Sequence, residues 1–329
     1  MKRIITLFLA FALIIILPSC APARKQNDKL VIVTTIFPQY DFARAVSIEV
    51  QDKVELTMLL PPGSESHDYE PSLADLALIE SCDLFICVGG ETDAWVDSAI
   101  EAVGGKVNVM RLVDHVELLP EAENGILEDS HEHHDHASDE ECTEDHEHVH
   151  DEPAAFDEHV WTSPENALLL TNAICEAMCK AEPSLSDSFR KGAAEYTVKL
   201  DSLGKAFSTL AENAARDTVF FADRFPFLYL TDHMGLDFCA SFSGCSSDTE
   251  PALSTIYRMK EKLEASDAKV IFTTEFSKSG CAELLAVECS LELLLLHSCH
   301  NVSKTDFECG ITYAELMEQN LSALTRALS

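Results

Sequence analysis

Between Leu185 and Ala214 the residues Leu185, Phe189, Ala193, Tyr196, Leu200, Leu203, Phe207, Leu210 and Ala214 recur at intervals of three and four. That is one unbroken apolar face at helical period. Pro183-Ser184 supplies the start, and a helix over 183–214 would be roughly 45 Å long at 1.5 Å per residue. A rod of that length runs the height of two lobes, so the chain on either side has to fold around it.

Before the rod, strand-like and helix-like segments alternate. Leu30–Ile36, Lys53–Leu60, Asp83–Val88 and Val107–Leu112 read as strands, with helices from near Tyr40 and over Ser72–Ile79. Pro61-Pro62-Gly63 and Gly89-Gly90 mark turns after the second and third strands. The alternation restarts after the rod. Strands are predicted at Thr218–Phe221, Leu236–Phe242, Lys269–Thr274 and Leu291–Leu296, and helices at Ser254–Ala265, Lys278–Glu288 and Thr312–Leu328. Strands separated by helices imply parallel β-α-β units. The expected fold class is α/β: two β/α lobes with parallel sheets, residues 29–182 and 215–329, joined by one long rigid helix over 183–214. A ligand would lie in the cleft between them, where carboxyl ends of strands converge.

The first 28 residues belong to neither lobe. Lys2 and Arg3 precede an apolar run from Ile4 to Leu17, an export signal too short to span a bilayer as a permanent helix. Leu17-Pro18-Ser19-Cys20 resembles a bacterial lipobox, which implies loss of residues 1–19, a lipid on Cys20 and a polar tether over 20–28. The expected location is extracytoplasmic, lipid-anchored to the cell membrane. A net charge of −34 argues against nucleic acid and anionic lipid as partners. Of twelve cysteines, eleven remain once Cys20 is lipidated, an odd number that cannot pair completely within the chain. Cys82, Cys87, Cys239, Cys281 and Cys289 sit among apolar neighbours, as small hydrophobes do. Cys175 and Cys179 are placed to share a helical face. We expect mostly free buried thiols, with Cys239–Cys245 the disulfide to check first.

Residues 128–152 interrupt the first lobe. Seven of the thirteen histidines (His131, His133, His134, His136, His146, His148 and His150) stand there among twelve acidic residues. With no apolar face at period 2 or 3.6 the segment cannot join a core. A flexible string of imidazoles and carboxylates binds divalent transition metals, so it reads as an accessory metal loop.

Six histidines lie elsewhere: His67, His115, His159, His233, His297 and His300. His67 follows the Pro61-Pro62-Gly63 turn in PPGSESHDYEPS, and His159 lies in FDEHVWTSPENA before a helix start at Ser163-Pro164. His297 ends an apolar strand in LELLLLHSCHNVS. Strand ends and the loops after them are where binding residues gather. These segments resemble the substrate-binding lipoproteins of zinc and manganese ABC transporters over nearly the whole mature chain. PPGSESHDYEPSLADLALIESCDLFICVGG is similar to one family signature and implies a metal ligand at His67. DEHVWTSPENA is similar to a second and implies one at His159. The acidic His-rich insertion is typical of the zinc-specific members. The second lobe departs from the pattern: the family's usual histidine falls on Ala222, in FFADRFPF, and its C-terminal acidic ligand on His297. The departure suggests an exchange, one imidazole lost at Ala222 and one gained at His297. Glu275, in IFTTEFS, is the best candidate for a fourth, oxygen ligand, ahead of Asp223 or a water.

Three neutral imidazoles suit Zn2+ better than Mn2+, which prefers oxygen donors. Because the imidazoles must be deprotonated, affinity should fall below about pH 6.5. The resemblance implies a monomeric receptor, not an enzyme, that captures Zn2+ in the cleft and delivers it to an ABC permease driven by an ATPase subunit. A secreted zinc hydrolase would need an open coordination position and a general base, and Glu158-His159 lacks a second histidine to complete such a motif. A surface metal buffer or adhesin would explain the His-rich loop but not the paired lobes.

Overall fold

The computed structural model describes residues 29–65, 69–122, 124–127, 155–244, 251–277 and 280–329. The expected signal, Cys20 and its tether, the accessory loop 128–152 with its seven histidines, and His67 lie outside the described residues.

Each lobe is built on a four-stranded sheet. The first holds β1 (Leu30–Thr34), β2 (Val54–Met58), β3 (Leu84–Cys87) and β4 (Val109–Arg111) in the order β2-β1-β3-β4. The second holds β5 (Thr218–Phe225), β6 (Asp237–Ser243), β7 (Val270–Thr273) and β8 (Glu292–Leu295) in the order β6-β5-β7-β8. Every pairing is parallel, so one strand order is used twice. β3 is buried at every position, as in a sheet covered on both faces. In both sheets the order reverses beside the first strand, which opens a crevice at the carboxyl ends. β5 runs four residues past its predicted end at Phe221, through a register irregularity between Phe221 and Arg224. A bulge of this kind leaves no trace in the apolar pattern.

Helices α1 (Phe37–Val46), α2 (Leu73–Ser81) and α3 (Trp95–Ala102) follow β1, β2 and β3. α4 (Pro164–Ala181) starts with Pro at its first position and Ser163 accepting from Asn166 N. The long connection is α5 (Ser186–Glu212), which buries Phe189, Ala193, Tyr196, Leu200, Leu203 and Phe207 of the apolar stripe. Gly192 lets it approach α1 closely: a Cβ there would stand 2.4 Å from Val46 O. α6 (Leu228–Met234), α7 (Leu253–Ala265), α8 (Cys281–Glu288), α9 (Lys304–Cys309) and α10 (Tyr313–Leu328) complete the second lobe. Thr312 and Glu315 form a capping box at the start of α10. The sequence reading missed α3, α6 and α9. At six to eight residues, each is too short for a helical period to repeat. No helix among the described residues is long and apolar enough to cross a membrane.

The expected Cys239–Cys245 disulfide needs correction. Cys239 is a free, buried thiol whose Sγ lies 3.9 Å from Met259 Sδ, and Cys245 lies outside the described residues. Cys82, Cys87, Cys175, Cys179, Cys289, Cys299 and Cys309 are free as well.

The segment after β8 belongs to both lobes. His300 O accepts from Phe37 N at 3.0 Å, and Val302 O accepts from Gly63 N at 2.8 Å. These bonds tie the end of the second sheet to the turns after β1 and β2, and so form one wall of the cleft.

Candidate metal centre

His159 enters the cleft from a short rigid connection. One 3-10 turn (Val160–Thr162) separates it from the Ser163 cap of α4. Asp157 Oδ1 accepts from both His159 N, at 2.8 Å, and His159 Nδ1, at 2.9 Å. A ring that donates through Nδ1 to a carboxylate presents Nε2 as its lone-pair atom, which is how metal-ligating histidines are held. The side chain is fully buried. Gly244 is pressed against it, and a Cβ there would stand 2.6 Å from His159 Cε1. Burial pulls the imidazole pKa down. The charge and hydrogen bond of Asp157, helped by Glu158, more than offset this and leave it above the usual 6.5.

The imidazole that meets His159 is His300, from the other lobe. The two rings stand edge to face, with centroids 4.8 Å apart and planes at 84°. Trp161 closes a third side, 4.8 Å from His300 and 5.5 Å from His159. The indole is held by its Nε1 donating to Ser298 O at 2.8 Å, and its carbonyl accepts from Tyr313 Oη at 2.6 Å. His300 Nδ1 lies 2.9 Å from Ser298 Oγ.

The sequence reading passed over His300 in favour of His297, and here the geometry differs. His297 Nδ1 accepts from Cys299 N at 3.0 Å and stands 3.4 Å from Glu275 Oε1. Its amide and carbonyl are both taken by the Asn320 side chain, at 2.7 Å each. Glu275 connects the two histidines. Its Oε2 accepts from Ser298 N at 2.8 Å, and its Oε1 accepts from the Ser298 hydroxyl that also touches His300. Asp223 Oδ2 accepts from Thr273 Oγ1 at 2.6 Å and its Oδ1 from Ser277 Oγ at 2.8 Å, so both its oxygens brace the loop carrying Glu275. Ala222 is fully buried in an apolar cluster with Phe220, Cys239 and Met259. His115 is exposed, and His233 on α6 stands 3.7 Å from Glu165, away from this cluster.

Beside His300 and Glu275 lies a cavity of about 30 Å3, with Ser64 and Glu65 of one lobe facing Arg224, Gly244, Glu275 and His300 of the other. It has room for an ion and a water but not for an organic solute, which needs hundreds of Å3. Arg224 and Glu65 form an ion pair across it at 3.7 Å. Among the described residues, three potential ligand atoms come within 4.8 Å of one another only at Cys175, Glu176 and Cys179 on α4. Those two thiols are part of the apolar core, and burial pushes Cys175 up to about 12. Glu176 is exposed and faces Arg190 at 3.5 Å. That group is packing.

The floor beside His159 is acidic. Glu158 accepts from Thr92 N at 3.0 Å and from Thr92 Oγ1, and burial pushes it up to about 7 against the pull of His159. Asp93 accepts from Val88 N, Gly89 N and Thr35 Oγ1, yet burial still pushes it from 3.8 up to about 6. The folded protein therefore holds the Asp93 proton more tightly than the unfolded chain does. Stability from this group is fully present below pH 3.8 and is lost as the pH rises through about 6. Relative to Asp93→Asn, which cannot titrate, the parent should gain up to about 3 kcal/mol between pH 7 and pH 4. Urea unfolding of both proteins across that range measures it, and a constant difference would mean that Asp93 titrates normally.

A family model described as zinc-uptake complex component A, periplasmic, matches residues 32–327. The high-affinity zinc uptake system protein ZnuA of Bacillus subtilis (strain 168) is 31% identical over 310 residues, 93% of this chain and 90% of its own. The zinc-binding lipoprotein AdcA of Streptococcus pneumoniae is 30% identical over 98% of this chain, which spans only 60% of AdcA's length. The Zn(II)-bound crystal structure of the ZnuA-like domain of that AdcA superposes with a TM-score of 0.72 at 27% identity, covering 91% of this chain and 99% of the domain.

Proposed function

We propose, since the chain belongs to the periplasmic zinc-uptake component A family, that it is an extracytoplasmic receptor that captures Zn2+ in the interlobe cleft for an ABC importer. The observation that carries this reading is the edge-to-face meeting of His159 and His300, one from each lobe, beside a cavity of ionic size. The ligand set we infer is His67, His159 and His300, with Glu275 as the oxygen donor and His297 supporting Glu275. Imidazole-rich four-coordination favours Zn2+ over Mn2+. Capture requires no covalent chemistry, and the cavity among the described residues is of ionic size. The receptor is tethered through a lipid on Cys20, and a permease and its ATPase subunit take the metal onward.

The acidic His-rich loop collects metal more weakly and raises its local concentration. Deleting residues 128–152 should leave one tightly held zinc ion per chain and remove the weak ones. Metal analysis together with titration against a chelator of known affinity measures this, and loss of the tight ion in the deletion would refute the division of labour.

A further inference from the structure

One side chain joins the cavity's two walls. Asn301 is 1% exposed, and its Nδ2 donates to Pro61 O at 2.7 Å and to Ser64 O at 2.9 Å. Its Oδ1 accepts from Val302 N at 2.9 Å, and Gly63 N donates back to Val302 O at 2.8 Å. Two carbonyls on one side and an amide N–H on the other match a primary amide and fix which way it faces. A carboxylate would point charge at two carbonyl oxygens, and a hydroxyl could satisfy only one of them. The grip falls where the backbone needs one. Cys299 has φ +63°, a left-handed conformation that a non-glycine residue keeps only when its surroundings hold it. On one side of Asn301 is His300, and on the other is the Pro61–Ser64 turn, whose Ser64 lines the cavity.

We propose that Asn301 is a positioning residue for metal retention. By locking the Pro61–Ser64 turn of one lobe to the backbone beside His300 of the other, it sets the cavity's width and so the rate at which captured zinc leaves. The inference rests on the reading of this cavity as the zinc site. Residues that orient metal ligands from outside the coordination sphere typically cost 10–100-fold in affinity when changed.

The test is Asn301→Asp in the full chain, with zinc release followed as transfer to an excess of chelator. The slow phase reports the cavity and the fast phases the His-rich loop. The slow phase should accelerate about 10–100-fold with the capture rate nearly unchanged. The visible bands of the Co2+-loaded protein should shift, because the ligand geometry has changed. A merely structural role would lower the unfolding midpoint of the metal-free protein and move neither readout. Should the aspartate variant not fold, Asn301→Ser removes both amide hydrogens without adding charge and is expected to act in the same direction. Parental release rates and an unchanged Co2+ spectrum in a folded variant overturn the proposal. A parent with no slow phase, matched by His159→Ala, would instead overturn the zinc reading itself.

Discussion

His300→Ala should weaken zinc binding by a hundredfold or more, whereas His297→Ala should cost less than about tenfold. Structural zinc sites gain roughly 10–16 kcal/mol from about four ligands, so one lost imidazole removes about 3 kcal/mol, a factor of more than a hundred. His300 earns the larger figure by placement: its ring meets His159 at 4.8 Å and lines the cavity. His297 acts at one remove, with Nδ1 against Cys299 N and Glu275. Its loss frees Glu275 to shift but leaves the imidazole set intact. Chelator competition on the parent and both variants, each lacking residues 128–152, measures the difference. The assignment fails if the order is reversed.

Much of the fold could be read from the chain, because its signals are periodic. Phe189 to Phe207 mark the buried face of α5, and eight apolar or β-branched runs each form a strand. His159 is marked in the chain by DEHVWTSPENA, where a histidine precedes a helix cap, and the structure buries it against His300. The choice between His297 and His300 could not be made in the same way. Both follow the apolar run of β8, and a strand end does not reveal which later residue turns inward. That is decided by the left-handed backbone at Cys299, a residue type that rarely adopts it, and by Asn320, twenty-three positions away, which holds the His297 backbone. The Asn301 contacts with Pro61 and Ser64 are equally non-local. The partners of Asp223 are non-local too. Nothing in FFADRFPF shows that its two oxygens accept from Thr273 and Ser277, fifty or more positions away.

Asp41→Ala should destabilise the protein by about 3–5 kcal/mol, the usual result of removing one partner from a buried ion pair. In a chain of this size that lowers the unfolding midpoint by on the order of 10 °C. Asp41 on α1 is 1% exposed and serves three elements at once. Its Oδ2 accepts from Tyr196 Oη of α5 at 2.6 Å and from Tyr313 N at the start of α10 at 2.8 Å, and its Oδ1 accepts from Arg44 Nε at 3.1 Å. Arg44 continues the link by donating to Ile311 O, and Phe42 packs edge-on against Tyr313 at 5.0 Å. Alanine would strand a buried hydroxyl, a helix N-terminal amide and a guanidinium together, whereas Asp41→Asn keeps the shape and an acceptor and should cost less. Thermal and urea unfolding of the metal-free proteins would show this, and parental stability for Asp41→Ala would mean that the junction carries no weight. The lobes are thus joined by more than the long helix. A first-lobe helix, the linking helix and the C-terminal helix meet at one carboxylate, which holds the cleft's two walls in register.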